Sequence, residues 1–124
     1  MGKTFMLIAS ILGAIGVCIG AFGAHAFKDF LVETNRLNTF ETGVKYHFIH
    51  TLSLLAISIL SLSHSSSMLN FAGWFAILGI IFFSGSIYAI CWTQISKLGM
   101  ITPLGGLFFI ISWVLIGVFA YQIK

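Results

Sequence analysis

Four long apolar runs dominate the chain, and short polar segments separate them. The runs cover residues 5–27, 41–62, 71–93 and 102–123. Each holds about 20 residues, and a helix of that length crosses the ~30 Å hydrocarbon layer of a bilayer. The pattern therefore predicts an all-α membrane protein in which four transmembrane helices form a compact bundle, with residues 1–124 as a single domain.

The stretch from Lys28 to Lys45, which reaches into the second apolar run, carries most of the charge. Six of the charged side chains fall there: Lys28, Asp29, Glu33, Arg36, Glu41 and Lys45. Apolar residues such as Phe30 and Leu31 are interleaved with them, which is typical of an amphipathic segment lying in the membrane interface. Asn35 and Asn38 interrupt the segment. We therefore expect a short amphipathic helix, then a turn, and then entry into the second span, capped by Asn38 or Thr39.

The composition excludes a soluble domain. Hydrophobic residues make up 59% of the chain and charged residues only 7%, whereas a soluble domain needs roughly a quarter of charged residues. The net charge of +3 is not gathered in a basic patch. We therefore expect the lipid bilayer, and no nucleic acid, as a partner. Cys18 and Cys91 lie inside apolar runs without a CxxC spacing, so we expect small buried apolar side chains rather than a redox pair.

Small residues form stripes on the predicted helices. Four glycines of the first span are three or four positions apart and share one face: Gly13, Gly16, Gly20 and Gly23. Such a face lets helix backbones approach closely in lipid. We interpret the first span as the centre of the bundle, with Gly85, Gly105 and Gly106 allowing the third and fourth spans to approach it. The same stripes also suit a homo-oligomer.

Polar residues of the spans fall at similar depths. Because successive spans alternate in direction, these residues are expected to lie in one leaflet: His25, Tyr46, His47, His50, Ser84, Ser86 and Tyr88. The opposite half of the bundle is expected to be aliphatic and aromatic. Polar groups in hydrocarbon are costly unless they are paired, so we expect this cluster to meet inside the bundle. Asn70 is expected to cap the third span, and Thr102-Pro103 to open the fourth.

The histidines allow several kinds of chemistry. His47 and His50 are three residues apart on one helical face, and His25 could add a third nitrogen for a metal ion. A proton relay, or haem ligation by His25 and His50, would use the same residues. We favour hydrogen bonds between helices or contacts with lipid head groups, and so predict no metal, no cofactor and no catalytic residue. No HExxH, phosphate-binding loop or Ser-His-Asp order occurs.

Four ordered motifs carry a family resemblance. They are Gly20–Ala26 (GAFGAHA), Thr42–His47 (TGVKYH) followed by His50, Phe83–Tyr88 (FSGSIY) and Thr102–Gly106 (TPLGG). Together they resemble the DUF423 membrane family, whose eukaryotic relatives are the transmembrane protein 256-like proteins. The resemblance covers the whole chain. It implies a small multi-pass protein of the bacterial cytoplasmic (inner) membrane with no established biochemical activity.

The orientation in the membrane stays open. Lys28, Arg36, Lys45 and Lys97 lie on one side, against Lys3 and Lys124 on the other. The positive-inside rule therefore favours cytoplasmic first and third loops. The resemblance implies the opposite, because members of that family often carry basic residues in the second loop and the C-terminal tail.

The sequence as a whole predicts a non-catalytic structural or interaction protein of the membrane. It identifies no protein partner. The alternative is a binder or conduit for a small ligand, a metal ion or a proton, which would use the His/Tyr cluster.

Overall fold

The chain is helical almost throughout. The computed structural model describes all 124 residues. It contains six α-helices: α1 (Gly2–Ala24), α2 (Lys28–Glu33), α3 (Leu37–Ser63), α4 (Ser67–Gly79), α5 (Gly85–Thr93) and α6 (Thr102–Gln122). A π-helical turn, Ile80–Ser84, joins α4 to α5 without a break, and a 3-10 helix, Ser96–Met100, precedes α6. Four helical units are long and apolar enough to cross a membrane, namely α1, α3, the α4–α5 unit and α6. The all-α membrane class is therefore confirmed.

Two helices begin further into polar sequence than expected, whereas α1 ends at Ala24 and not at 27. The largest differences are four residues, at the starts of α3 (Leu37 against 41) and α4 (Ser67 against 71). The prediction followed apolar character, but helical hydrogen bonding continues through polar residues at the interface, where water and lipid head groups tolerate them. The predicted caps are therefore wrong: Asn70 lies inside α4, and Asn38 and Thr39 lie inside α3. Thr102 and Pro103 lie in the first turn of α6, as expected, but Ile101 and not Thr102 is the N-cap residue.

The charged segment forms the predicted short amphipathic helix. In α2, Leu31 is fully buried, and the remaining residues of that helix are exposed. The ring of Phe27 stacks between Phe30 and Trp92, with ring centroids 4.8 and 5.5 Å away. Asn35 then reverses the chain in a left-handed conformation, φ 57°. This helix therefore closes one end of the bundle.

The centre of the bundle is not the first span. Half of the most apolar stretch of the α4–α5 unit is buried, compared with 17% of that of α1. The helix α1 packs mainly against α3, and α6 packs mainly against α4 and the π-helical turn. The expectation of a central first span is therefore wrong. A glycine stripe forms one narrow face, and here that face admits one neighbour, while side chains such as Leu7 and Val17 stay exposed for the acyl chains.

The glycine stripe of α1 faces α3 along its length. A Cβ atom built on Gly16 would meet Phe48, one on Gly20 would meet Val44, and one on Gly23 would overlap the ring of Phe40. A Cβ on Gly13 would only touch Thr51, at 3.8 Å. The stripe is therefore a packing surface for α3, and it is tightest where α1 ends and α3 begins.

The other predicted packing glycines do not face α1. A Cβ on Gly105 would overlap the backbone of Phe82 and Phe83, so α6 and the π-helical turn are in backbone contact there. Gly106 lies beside the ring of Phe83, and Gly85 has only its own helix within 4 Å. Gly105 and Gly106 of the fourth span therefore pack against the third span and not against α1. The short loop between these two spans holds them adjacent.

Candidate functional site

His47 joins three spans through its two ring nitrogens. Its Nε2 lies 2.8 Å from the carbonyl oxygen of Leu12 in α1, and its Nδ1 lies 2.8 Å from the Tyr88 hydroxyl in α5. A carbonyl oxygen only accepts hydrogen bonds, so Nε2 carries the proton and donates to Leu12. Tyr88 in turn donates to Nδ1. The ring is neutral in this arrangement, and both of its polar atoms are satisfied inside the protein.

A glycine makes room for this ring. Gly16 is the residue one turn after Leu12, and a Cβ built on it would lie 3.2 Å from the Nε2 of His47. The absence of a side chain lets the imidazole reach the backbone of α1. Part of the glycine stripe therefore serves a hydrogen bond as well as close helix packing.

His50 uses its nitrogens in the opposite way. Its Nδ1 lies 2.8 Å from the carbonyl oxygen of Tyr46, and the indole Nε1–H of Trp113 donates to its Nε2 at 3.0 Å. Nδ1 therefore carries the proton, and Nε2 accepts. The ring also stacks on Phe109, with centroids 3.5 Å apart. His50 thereby fastens α3 to α6.

The three candidate histidines do not converge. His47 contacts α1 and α5, whereas His50 contacts α6. His25 is exposed at the C-terminal end of α1, apart from both. No three His, Cys, Asp or Glu side chains stand together as a group that could hold a metal ion. The structure therefore brings His47 and His50 into the interior and leaves His25 outside.

Two serines tie the third span to its neighbours. Ser84, at the end of the π-helical turn, donates to the carbonyl oxygen of Gly43 at 2.7 Å, with both residues buried. Ser86 pairs its hydroxyl with that of Thr102 at the start of α6. These serines are therefore bonded between helices, as the interpretation of the cluster as structural requires.

The buried polar side chains are not confined to one leaflet. His47 is ten residues into the 27-residue helix α3, so it lies near mid-span. One apolar cluster, with Phe5 and Leu54, lies on the side of the termini, and a second, with Leu31 and Phe40, lies on the other side. Ser58 and Ser112 are buried in the half that was expected to be aliphatic and aromatic. The expectation of one polar leaflet is therefore too simple.

Several partners were not identified from the sequence. Trp113 donates to His50, Ser112 donates to the carbonyl oxygen of Ala72 at 2.7 Å, and Leu12 accepts from His47 through its backbone. A serine within a long apolar run is a usable signal for Ser112. Trp113 gave no such signal, because its role depends on how α6 is rotated against α3.

The two cysteines differ in environment. Cys91 is buried within the apolar cluster of Leu31 and Phe40, whereas Cys18 is exposed on α1, and both are free. The expectation of a buried side chain is therefore wrong for Cys18, whose helix has only one covered face.

Comparison with known proteins points to one family. A family described as "Protein of unknown function (DUF423)" matches residues 19–106. The chain is 44% identical to the UPF0382 membrane protein YwdK of Bacillus subtilis, over 97% of this chain and 98% of the relative. It is 38% identical to a UPF0382 membrane protein of Staphylococcus saprophyticus, over 98% and 99%, and 30% identical to one of Haemophilus influenzae, over 100% and 98%. No solved structure matches.

Proposed function

This chain belongs to the DUF423 family, and from that premise we propose that it is a non-catalytic protein of the bacterial cytoplasmic membrane with a structural or interaction role. It is a multi-pass membrane protein with four candidate spans. Support for the cytoplasmic membrane comes from the helical spans, since outer-membrane proteins are typically β-barrels.

The observation that carries the proposal is that all four ring nitrogens of His47 and His50 are hydrogen-bonded within the protein. Each nitrogen of His47 and His50 has a partner inside the protein: two backbone carbonyls, one phenol and one indole. A metal ligand needs a nitrogen lone pair that is free, whereas the lone pairs of His47 Nδ1 and His50 Nε2 accept hydrogen bonds from Tyr88 and Trp113. These nitrogens are occupied in bonds between and within helices, which supports a structural use of the polar residues.

The partner of such a protein is the bilayer and a further membrane component. A homo-oligomer is one form of this proposal. The sequence argument for it used the glycine stripes, but α3 covers the stripe of α1 within one chain. Gly117 of α6 is the one glycine whose added Cβ would meet nothing within 4 Å, so it stays open to a neighbour. We do not propose a nucleic-acid partner, because the charge is not gathered in a basic patch.

The second candidate is a binder or conduit for a small ligand, a metal ion or a proton. It is favoured by one observation: Tyr46 and His50 line a groove of about 710 Å³ between α3 and α6. Through this groove, a ligand dissolved in the bilayer would reach the edge of the His50 ring.

Purified protein distinguishes the two candidates. We expect no stoichiometric metal by elemental analysis, no Soret band, and no proton flux into reconstituted vesicles above that of empty vesicles. We expect His47→Asn and His50→Asn to lower the unfolding temperature in detergent, because each breaks a link between spans. His64→Asn is the matched control, since His64 is exposed beyond α3.

A different result would favour the conduit. If His47→Asn or His50→Asn kept the wild-type unfolding temperature and abolished a measured metal content, haem band or proton flux, the structural proposal would be overturned. Retention of both the unfolding temperature and all other properties by both variants would also contradict it.

A further inference from the structure

We propose that this protein holds one anionic phospholipid, with its phosphate between Lys28 and Lys45 and one acyl chain in the groove between α3 and α6. Two adjoining grooves on the surface carry this inference, and Lys45 lines both of them. The proposal goes beyond the structural role and does not depend on it.

The first groove suits a phospholipid head group. It has a volume of about 320 Å³ and lies where α1 ends and α3 begins. Its charged lining consists of Lys28, Glu41 and Lys45, which sum to a charge of +1. Its wall on α1 contains Gly20, Gly23 and Ala24, and its apolar wall on α3 contains Leu37, Phe40 and Val44. We will call it the head-group groove.

The head-group groove lies at the depth of the membrane interface. Lys28 begins α2, four residues after the last residue of α1, and Leu37 begins α3. Lys45 lies eight residues after Leu37, about 12 Å along α3, so its long side chain would reach back toward the interface to meet a phosphate beside Lys28.

The second groove suits an acyl chain. Here called the tail groove, it has a volume of about 710 Å³, and its lining is mostly aliphatic and aromatic. On α6 it extends from Pro103 to Trp113, ten residues or about 15 Å of helix. That is half of the ~30 Å hydrocarbon layer, the depth of one leaflet.

The head-group groove lies on the α1 side of α3 and the tail groove on its α6 side, and they share Lys45. The head-group groove takes Leu37, Phe40, Glu41, Val44 and Lys45 from this helix, and the tail groove takes Lys45, Tyr46, Ile49 and His50. The order therefore runs from the interface inward, with a cation at the junction. A phospholipid has the same order of charged group and chain.

The charge of the head-group groove selects among lipids. Its single excess positive charge complements phosphatidylglycerol, whose head group has one negative charge. A zwitterionic phosphatidylcholine carries no net charge to match it. The acyl chains of the two lipids would fit the tail groove equally well. We therefore assign the preference for phosphatidylglycerol to Lys28 and Lys45.

Quenching of Trp113 by brominated lipids tests the proposal, because Trp113 lines the inner part of the tail groove. The full chain with Trp74→Phe and Trp92→Phe keeps this single tryptophan. It is reconstituted in phosphatidylcholine vesicles at low salt, with increasing fractions of brominated phosphatidylglycerol or brominated phosphatidylcholine. We expect the phosphatidylglycerol to quench at several-fold lower mole fraction.

Removal of one lysine should reduce that preference. We expect Lys45→Gln to lower the preference for phosphatidylglycerol about fivefold, as for the loss of one cation near an anionic surface. Lys28→Gln should act in the same direction and serves if Lys45→Gln does not fold. Lys97→Gln is the matched control, because Lys97 is exposed on the same side of the membrane but lines neither groove.

Each other outcome would overturn the proposal. Equal quenching by the two brominated lipids would mean contact with lipid but no selective site. An equal loss in Lys97→Gln would mean a general surface-charge effect. An absence of quenching by either lipid would mean that protein, such as a second copy of the chain, covers the tail groove. None of these results would affect the test of the structural role.

Discussion

The imidazole of His47 packs so closely on Gly16 that a side chain at this position would crowd it. A Cβ on Gly16 would lie 3.2 Å from Nε2 of His47 and 3.0 Å from the ring of Phe48. Close helix packing and the hydrogen bond to Leu12 therefore depend on one missing side chain. Because the glycines of the stripe differ in how closely their neighbours approach, Gly→Ala substitutions along it should differ in their effect on stability.

Gly16→Ala should destabilise the protein, whereas Gly20→Ala should be close to neutral. The Cβ added at Gly16 crowds two rings, and overpacking of this kind costs about 1–3 kcal/mol. The Cβ added at Gly20 meets Val44 at an ordinary 3.5 Å. Thermal unfolding in detergent, followed by circular dichroism, compares the two. Equal unfolding temperatures for both variants would contradict the packing described here.

Gly105→Ala should be more severe than Gly16→Ala. The added Cβ would overlap backbone atoms of Phe82 and Phe83, which cannot rotate away as a side chain can. Gly117→Ala is the matched control on the same helix, since nothing lies within 4 Å of it. The yield of folded, monodisperse protein by size-exclusion chromatography is the measurement. Normal yield of Gly105→Ala would show that α6 is not in backbone contact with the π-helical turn.

The two buried histidines should show opposite neutral tautomers. His47 should carry its proton on Nε2, where it donates to Leu12, and His50 on Nδ1, where it donates to Tyr46. Nitrogen-15 NMR of histidine-labelled protein distinguishes a protonated from an unprotonated ring nitrogen. Tyr88→Phe and Trp113→Phe each remove one donor and assign the signals. The same tautomer for both rings would refute the bonding pattern.

Ser84→Ala should cost more stability than Ser10→Ala. Ser84 donates to Gly43 on another helix and is fully buried, and bonds between helices in membranes are worth about 0.6 kcal/mol on average and up to about 1.7. Ser10 is exposed and bonds only within its own helix, to Met6. Unfolding in mixed micelles measures the difference. A larger loss for Ser10→Ala would argue against the Ser84 contact.

The sequence predicts what depends on one helix at a time. Run lengths give the four spans, and the 3.6-residue period gives the glycine face of α1. The partner of that face is not encoded in the period, because it depends on how neighbouring helices rotate and on which loops are short. The first span was therefore expected at the centre, although its face accepts only α3. For the same reason, His47 and His50 share a helix but not a neighbour.

The sequence around the π-helical turn also contains no signal that predicts it. The sequence Ile80-Ile81-Phe82-Phe83 has no proline or charge to mark it, and an uninterrupted α-helix is an equally good local interpretation. The wider turn is set by contacts with other helices, namely Gly105 against Phe83 and Ser84 against Gly43. No single-span pattern contains those contacts.

The wide turn between α4 and α5 has a mechanical consequence for the whole third span. An α-helix advances about 100° per residue, and a π-helical turn, with its wider i→i+5 bonds, advances less. The five residues Ile80–Ser84 therefore rotate the half that holds Ser84, Ser86 and Tyr88 by a smaller angle, against the half that begins at Ser67, than five α-helical residues would. An uninterrupted α-helix of the same length would aim these three side chains away from their partners, although it would still be long enough to cross the bilayer. The turn thus sets the rotation of one half of the third span against the other.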